Sequence, residues 1–539
     1  MKVAKKSVIL SSVQYIIIFI GFALSYMFTY PQYDVLLFTR DFKGDFVSIL
    51  REALLYGNGR FLGNVLGFYY SHHFTAAIFV TAFFLTLIVF LANKLFFDGN
   101  KKAIFPIAVL IAFPAVGLIR EAYSMIAAFC NYVVPLSFAL MSGIFIKKLK
   151  SSGSRFIYIP LAFSSIVVCL FSENTTIVML CVAVLIIVGD FISNKKASVA
   201  SIMNLIFTAI GTLIMYLIPR VTDTKEKLDY YRGYVETDSL IFNITSTLRS
   251  FALLANQYAL LYVIISATLI YVLYKQCKTS KIIKFVLAAI LAVFPLTCVF
   301  ALIFAQKANE LAALYLPLEA VYLIAALIVS ILSKQKKLIA SVIMTAILLG
   351  SAVAPMTIVN HRGDRTFFTT FAILFCYALY LTKEIGVDKK VKRIINIAAP
   401  VAFATGCCVM LTLTAQNFDS YAYRADYLAQ KSVTDSSADV PYLAHGRLAQ
   451  ETALGQIDPC LFGSSVQMSF NVIPSNEWEK ADEYKEITSL PPVAAVKYGL
   501  EHWEFKDATY PLKLHEKYSQ NKYSIIFFQY AVKKADNFG

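Results

Sequence analysis

Three aspartates precede an arginine in one polar stretch near the N-terminus, and this spacing gives the first indication of chemistry. Asp34, Asp41 and Asp45 lie in YDVLLFTRDFKGD, and Arg60 follows in GNGRFLGN. A carboxylate there can act as a general base, can ligate a metal ion, or can be an ordinary hydrated charge. The planar guanidinium of arginine fits phosphate oxygens, or it anchors a helix end among lipid headgroups. Residue types alone leave these alternatives open.

Polar residues of the same kinds interrupt the apolar chain at three later places. These segments read REAYSMIAAFCNYVVP, SENT and NHRGDR. The residues of interest in them, with the asparagine of GNGRFLGN, are Asn64, Arg120, Glu121, Asn131, Tyr132, Glu173, Asn174, His361, Arg362, Asp364 and Arg365. A charge this close to hydrocarbon costs several kcal/mol unless it is paired or lines a wet cavity. Asn131 and Tyr132 also fit a helix cap and an interfacial aromatic.

Long apolar runs position these residues. Of 539 residues 58% are hydrophobic, and the mean hydropathy is +0.64. Runs of roughly 20 apolar residues match the thickness of a bilayer. We therefore predict an all-α polytopic membrane protein with about thirteen transmembrane helices. The predicted spans are 8–30, 73–97, 103–119, 132–147, 156–171, 175–193, 201–219, 251–274, 283–305, 311–333, 337–355, 366–382 and 394–415. The short pair 156–171 and 175–193 also fits one re-entrant hairpin.

The loops alternate in charge. One set, which we call the lysine-rich loops, reads MKVAKK, NKLFFDGNKK, KKLKSSGSR, SNKK, YKQCKTSKIIK, SKQKK and KEIGVDKKVKR. The other set, the mixed-charge loops, holds most of the acids and all of the segments above. By the positive-inside rule the lysine-rich loops are cytoplasmic. This predicts a multi-pass protein of the plasma membrane with a cytoplasmic N-terminus and an external C-terminal segment.

The first mixed-charge loop, 31–72, is expected to lie along the membrane surface. Between Phe46 and Tyr56 apolar residues recur at helical spacing, which predicts an interfacial amphipathic helix. GNG ends that helix, and a second apolar-faced segment follows. His72 and His73 close the loop and fit metal ligands, but no further His or Cys lies at ligand spacing. We expect no cofactor, and a divalent metal is not indicated.

Two further features narrow the class of protein. The net charge of +15 comes from short loops between apolar runs, which argues against a nucleic-acid partner. Glu319 lies about two turns inside a predicted span, where it is either a packing residue paired with a neighbour or a functional group. Apart from Glu319 the span centres are apolar.

From about residue 416 to 539 the chain becomes polar. Short β-rich pieces such as QMSFNVIP and YSIIFFQYAV stand between prolines. We expect a small extracytoplasmic α+β domain, whose first helix, about 418–433, continues from the last span. Its expected role is to bind an acceptor or to cover a catalytic site.

Residues 1–415 resemble the membrane-embedded GT-C glycosyltransferases. The likeness is nearest to bacterial polytopic proteins of the GtrII-like and protein-mannosyltransferase-like types. It rests on the acidic first loop leading to NGRFLGN, and on FCNYVVPL, SENT and APMTIVNHRGDRTFF in this order. Each motif is short and permissive, so the order and the shared side of the membrane carry the resemblance.

The resemblance implies an inverting transfer of sugar from a polyprenyl-phosphate-sugar donor to a cell-envelope glycan. It implies a catalytic base among the first-loop aspartates, with Asp41 the best match and Asp45 next. The adjacent acidic pair usual in that family is absent here, because FKG separates the two aspartates. Arg60, His361, Arg362 and Arg365 would bind the donor phosphate. Asp34, Asn64, Glu121, Asn131, Tyr132, Glu173 and Asn174 would line the substrate site. The alternative is a transporter or flippase of lipid-linked glycans.

Overall fold

Most of the chain has a described conformation. The computed structural model describes residues 2–31, 35, 38–39, 42–56, 58–112, 114, 116–221, 240–254, 258–303, 312–358, 364–386, 389–433, 437–441, 444, 469–473, 480–507, 510, 513–514 and 516–519. Within these ranges the protein is almost wholly helical, as the apolar runs predict.

The longer helices follow one another along the chain. They are α1 Lys2–Ser25, α2 Phe46–Leu55, α3 Phe61–His72, α4 Phe74–Phe97, α5 Ile104–Ala112, α6 Ile126–Ser152, α7 Arg155–Leu170, α8 Glu173–Asn194, α9 Val199–Val221, α10 Leu240–Leu254, α11 Ala259–Lys275, α12 Lys281–Ile303, α13 Ala312–Leu332, α14 Lys336–Val353, α15 Phe368–Ile385, α16 Lys389–Lys431, α17 Ala481–Thr488 and α18 Pro492–Glu501. Among the described residues, nine helices are long and apolar enough to cross a membrane, and three apolar helices are somewhat shorter. The helical, polytopic class of the prediction is therefore confirmed.

Two of the predicted spans do not correspond to one continuous helix, and the alternative of a re-entrant hairpin is not what the structure has. The predicted span 103–119 is interrupted, because α5 ends at Ala112. The predicted span 251–274 overlaps two helices, the last turn of α10 and the whole of α11. In place of a re-entrant hairpin, α8 has 22 residues, about 33 Å of helix, which is long enough to span by itself.

Where the structure describes them, the two sets of loops lie at opposite ends of the bundle. At one end, lysine-rich loops contact one another through ion pairs. Lys147 Nζ lies 2.6 Å from Asp98 Oδ1, and Lys150 Nζ lies 2.6 Å from Asp190 Oδ1. The Asp190 carboxylate also accepts from the Ser198 and Ser201 hydroxyls. The mixed-charge loops meet at the other end, as described below.

The last long helix continues well past the bundle. Helix α16 has 43 residues, about 65 Å, roughly twice the hydrocarbon thickness of a bilayer. The predicted helix at about 418–433 is thus confirmed as its continuation to Lys431. Strands β1 Ser437–Pro441 and β2 Ser469–Ile473 then pair in parallel, and α17 and α18 pack against α16. Of the two predicted β pieces, QMSFNVIP contains β2, and YSIIFFQYAV lies outside the described residues.

A buried lysine joins the C-terminal segment to the membrane domain. Lys506 is 3% exposed, and its Nζ donates a hydrogen bond to the Thr29 carbonyl just beyond α1. The rings of Phe418, Trp503 and Phe74 surround the amine at 4.9, 5.2 and 5.7 Å. Burial lowers the pKa of this amine well below its usual value. The junction therefore contains a group that folding favours in its neutral form.

Candidate functional site

Two π-helical turns shape the site, one between α5 and α6 and one in the first turns of α6. The first, Ile119–Tyr123, carries Arg120 and Glu121, and the second, Phe129–Val133, carries Asn131 and Tyr132. π-helical turns are rare and are frequent at functional sites, because the wider turn redirects side chains. The loop predicted between two spans is thus folded into the end of the bundle, and all of it except Arg120 is buried.

Arg60 is the centre of a first cluster, formed by Arg60, Tyr132 and Glu173. Its Nε donates to Glu173 Oε2 at 2.8 Å, and its Nη1 donates to the Tyr132 hydroxyl at 3.0 Å. The guanidinium carbon lies 5.6 Å from the centre of the Tyr132 ring. The Arg60 side chain is 26% exposed and that of Glu173 is 14% exposed. Glu173 also begins α8, where the helix dipole favours a negative charge.

Arg120 is the centre of a second cluster, which we define as Arg120, Glu121, Asp364 and Arg365. Its Nη2 lies 3.0 Å from Glu121 Oε1 and 3.3 Å from Asp364 Oδ2. The other oxygen of Glu121 accepts from the backbone N–H of Arg365 at 3.2 Å. Glu121 therefore ties together its own π turn and the helical turn Asp364–Phe367.

One asparagine links the two clusters, which together we call the polar site. Asn174 follows Glu173 in sequence, and its Nδ2 donates to the Thr366 carbonyl at 2.9 Å. The next carbonyl, that of Phe367, accepts a hydrogen bond from the Tyr258 hydroxyl at 3.0 Å. The backbone at Thr366 and Phe367 is therefore held by both Asn174 and Tyr258. The structure thus brings together side chains from α3, α8, both π turns and the turn before α15. The described part of the polar site contains three arginines and three carboxylates.

The segment before α3 is held by a network of amides. Asn58 Oδ1 accepts from the backbone N–H of Arg60 at 3.0 Å and from Asn64 Nδ2 at 2.8 Å. Asn131 donates to the Ala127 carbonyl at 2.9 Å, and its Oδ1 lies so close to Gly63 that any Cβ there would overlap it. Glycine at 63 is therefore required for α3 to approach the second π turn.

Asp45 lies at the exposed start of α2. It is the N-cap of α2, and its Oδ1 accepts from the Ser48 backbone N–H at 2.9 Å. The side chain is exposed, and the Ser48 hydrogen bonds lower the pKa of its carboxyl. Asp34, Asp41, His361 and Arg362 lie outside the described residues.

The amphipathic helix predicted between Phe46 and Tyr56 is confirmed as α2. Ile49 and Ala53 are buried against α3, while Phe46 and Val47 are 59% and 74% exposed. An apolar face that no described residue covers is what a helix lying in the membrane interface presents.

The paired histidines make contacts within the protein. The ring nitrogens of His72 lie 3.0 and 2.9 Å from the carbonyl oxygens of Phe68 and Phe42, which joins α3 to the start of the loop. His73 packs on the Tyr69 ring at 4.5 Å. No group of three His, Cys, Asp or Glu side chains within the described ranges could hold a metal ion.

Two residues of the site are not in the sequence prediction. Asn58 lies in the GNG that ends α2, and asparagine beside glycine is a typical turn residue that binds nearby backbone groups. Tyr258 lies at the start of α11. No sequence pattern near it indicates a role in the site, because its partner Phe367 is more than a hundred residues away.

No protein-family model matches this chain, and no curated protein matches it either. Function is therefore inferred from the chemistry of the polar site itself. Half-exposed arginines paired with carboxylates can exchange those partners for another anion, and the adjacent amides and hydroxyls can bind a polar ligand.

Proposed function

We propose that this protein is a membrane glycosyltransferase with a polyprenyl-phosphate-sugar donor and an envelope-glycan acceptor. The observation that supports it is the convergence of arginine–carboxylate pairs from four separate segments at the end of the bundle opposite the lysine-rich loops. A lipid phosphate enters such a site from the membrane interface, where α2 presents an apolar face. The positive-inside rule places this end outside the cell.

The proposed reaction is a single displacement. The acceptor hydroxyl gives its proton to an aspartate, and its oxygen forms a bond to the anomeric carbon. The bond from that carbon to the donor phosphate oxygen breaks, and the lipid phosphate leaves with the electron pair. One attack inverts the anomeric centre. Arg60 and Arg365, with Arg362, would stabilise the charge on the leaving phosphate.

Asp41 is the preferred base in this proposal, and Asp34 stays a candidate. Asp45 is the weaker candidate, because its carboxylate already caps α2 and faces solvent. Glu121, Asn131, Tyr132, Glu173 and Asn174 would line the sugar site, with Asn64 supporting Arg60 through Asn58. Glu121 and Asn174 also hold the Asp364–Phe367 turn, so a change at either would move the cations.

The topology of the proposal follows from the charges. The N-terminus is cytoplasmic, and the segment from about 416 onwards is an extracytoplasmic domain that binds the acceptor or covers the site. The ion pairs that join the lysine-rich loops to one another support a common side for those loops.

The experiment compares the envelope glycan of a deletion strain with that of its parent, then complements the deletion with variants. Loss of one side-branch sugar, restored by Asp45→Asn and not by Asp41→Asn at equal protein levels, supports the proposal. Asparagine caps helices as well as aspartate does, so the Asp45 variant is a matched control.

Two outcomes contradict it. Accumulation of an unexported glycan precursor in the deletion strain favours the transporter. An unchanged glycan with Asp41→Asn and Asp34→Asn, alone and combined, contradicts a catalytic role for these two aspartates of the first mixed-charge loop.

A further inference from the structure

A carboxyl group lies buried among aromatic rings in a part of the membrane domain that the proposed reaction does not use. Glu319 is on α13, two turns from its start, and is 2% exposed. Its Oε1 accepts a hydrogen bond from the Tyr262 hydroxyl of α11 at 2.6 Å. Its Oε2 is equally buried and has no hydrogen-bond partner among the described residues.

The surroundings of Glu319 are apolar. Three rings, one each from α11, α12 and α13, form a closed cluster: Tyr262 and Phe294 are 4.9 Å apart, Tyr262 and Tyr322 5.5 Å, and Phe294 and Tyr322 5.3 Å. Ser266 donates to the Tyr322 hydroxyl at 3.2 Å. Both α12 and α13 contain an internal proline, Pro295 and Pro317, which removes one hydrogen bond from each helix next to this cluster.

The titratable side chains that face Glu319 in the described part of the chain are tyrosines and a thiol. Tyr258 and Tyr262 lie on or beside α11, Cys298 on α12 and Tyr322 on α13. The lysines of α14, Lys336 and Lys337, lie at its opposite, lysine-rich end. On α10 the charged residue is Arg249, whose side chain is outside the described part. No described side chain supplies Glu319 with a cation.

An ionised carboxylate in such a place is strongly disfavoured. One hydrogen bond from a tyrosine does not replace the hydration of a full negative charge, and the bilayer offers no water to the second oxygen. A proton on Oε2 removes the charge and leaves the hydrogen bond from Tyr262 to Oε1 in place.

We propose that Glu319 and Tyr262 form a proton-binding site of the membrane domain, with the proton held on the Glu319 carboxyl. Binding forms one O–H bond on Oε2 and breaks one O–H bond of a hydronium ion, which becomes water. The proposal is independent of glycosyl transfer.

The site is connected to the polar site through α11. Tyr258 precedes Tyr262 by one helical turn, about 6 Å along the axis. Its hydroxyl lies 3.0 Å from the Phe367 carbonyl and 2.9 Å from Thr370 Oγ1. The same short piece of helix therefore contacts both Glu319 and the turn that carries Asp364 and Arg365.

Infrared difference spectroscopy of the full chain in lipid vesicles tests the proposal. The spectrum of wild type minus Glu319→Gln at neutral pH should contain the carbonyl band of a protonated carboxyl. The matched control is wild type minus Glu173→Gln, which removes an ion-paired carboxylate and should contain only carboxylate bands. A carboxylate band at Glu319 overturns the proposal. So does loss of the protonated band when sodium or potassium replaces a bulky organic cation at constant pH, since a metal ion would then be the ligand.

A second measurement needs no variant and so is independent of whether Glu319→Gln folds. A hydrophobic carbodiimide reacts with buried carboxyls in their protonated form, by transfer of the acid proton to the reagent nitrogen and attack of the carboxylate oxygen on its central carbon. Mass spectrometry of the labelled wild-type chain should find the adduct on the Glu319 peptide, at least tenfold above the Glu173 peptide. A Glu319 peptide without adduct after exhaustive labelling contradicts the proposal.

Discussion

The polar site and the surroundings of Glu319 give a glutamate carboxyl two opposite environments, one charged and near water, the other apolar and buried. Glu173 lies at a helix start, pairs with Arg60 at 2.8 Å and keeps some contact with solvent. Glu319 lies two turns inside a helix, with one tyrosine hydrogen bond and one oxygen that has no described partner. A charge near water and near a guanidinium stays ionised, and it can exchange its partner for a ligand. A carboxyl without either is stable only when neutral.

The largest expected effect comes from the same substitution at both positions. Glu173→Gln removes the partner of Arg60, so we expect a loss of glycosyl transfer of about 100-fold through a misplaced guanidinium. We also expect a loss of about 1–3 kcal/mol in stability. Glu319→Gln keeps an acceptor for Tyr262 and should change stability by less than about 1 kcal/mol. Thermal unfolding in detergent and a transfer assay measure both. If the two substitutions changed stability and transfer activity equally, Glu173 would not differ from Glu319 as an ion-paired carboxylate differs from a neutral carboxyl.

Close packing at the polar site gives the next largest effect. Gly63→Ala places a methyl group on Asn131, and overpacking of this kind costs about 1–3 kcal/mol. Transfer activity should fall with it, because Gly63 lies three residues after Arg60. Gly189→Ala is the matched control: it lies inside α8 with open space around its Cα. If both variants unfold at the wild-type temperature, the close approach of α3 to the second π turn is not needed.

The buried lysine of the C-terminal junction predicts a pH dependence. Because burial lowers the pKa of Lys506, the folded state binds fewer protons than the unfolded state below the ordinary lysine value of 10.5. Stability should therefore rise as pH increases toward that value, until the unfolded chain also loses the proton. Lys506→Met removes the titrating group and should remove this rise.

The measurement is the unfolding temperature of wild type and Lys506→Met across alkaline pH. The matched control is Lys497→Met, an exposed lysine of α18 whose removal should leave the pH dependence intact. A wild-type unfolding temperature that falls steadily across the same range contradicts a neutral amine at position 506.

The smallest effect concerns the exposed cap of α2. Asp45→Ala removes the acceptor for the Ser48 N–H and should lower the unfolding temperature slightly, whereas Asp45→Asn should not. Because the Ser48 hydrogen bonds lower the pKa of this carboxyl, the difference between Asp45 and Ala should vanish as pH falls below the usual aspartate range. A full loss of transfer in Asp45→Asn, with the cap intact, would instead make Asp45 a catalytic group.

Elements whose length is set by the bilayer could be predicted well. The ranges 175–193 and 311–333 coincide with α8 and α13 within two residues, because about twenty apolar residues in a row have few alternatives to a membrane helix. The amphipathic helix α2 could be predicted equally well, because the spacing of its apolar residues is a local property of the sequence. The stretch 103–133 was not, because its π turns depend on contacts with α3 and with the turn before α15.

The sequence by itself determined which residues are polar in an apolar chain, that they fall in one alternate set of loops, and which helices carry them. It also determined that Glu319 lies within hydrocarbon depth. Only the tertiary structure decided the partners. Arg60 pairs with Glu173, 113 residues away, and Arg120 bridges Glu121 and Asp364. Asp45 caps a helix, and among the described residues the partner of Glu319 is a tyrosine, not a cation. The physical reason is the sequence separation over which each interaction acts. Burial and helical period act over a few residues of sequence, whereas ion pairs form between whichever ends of packed helices the whole bundle brings together.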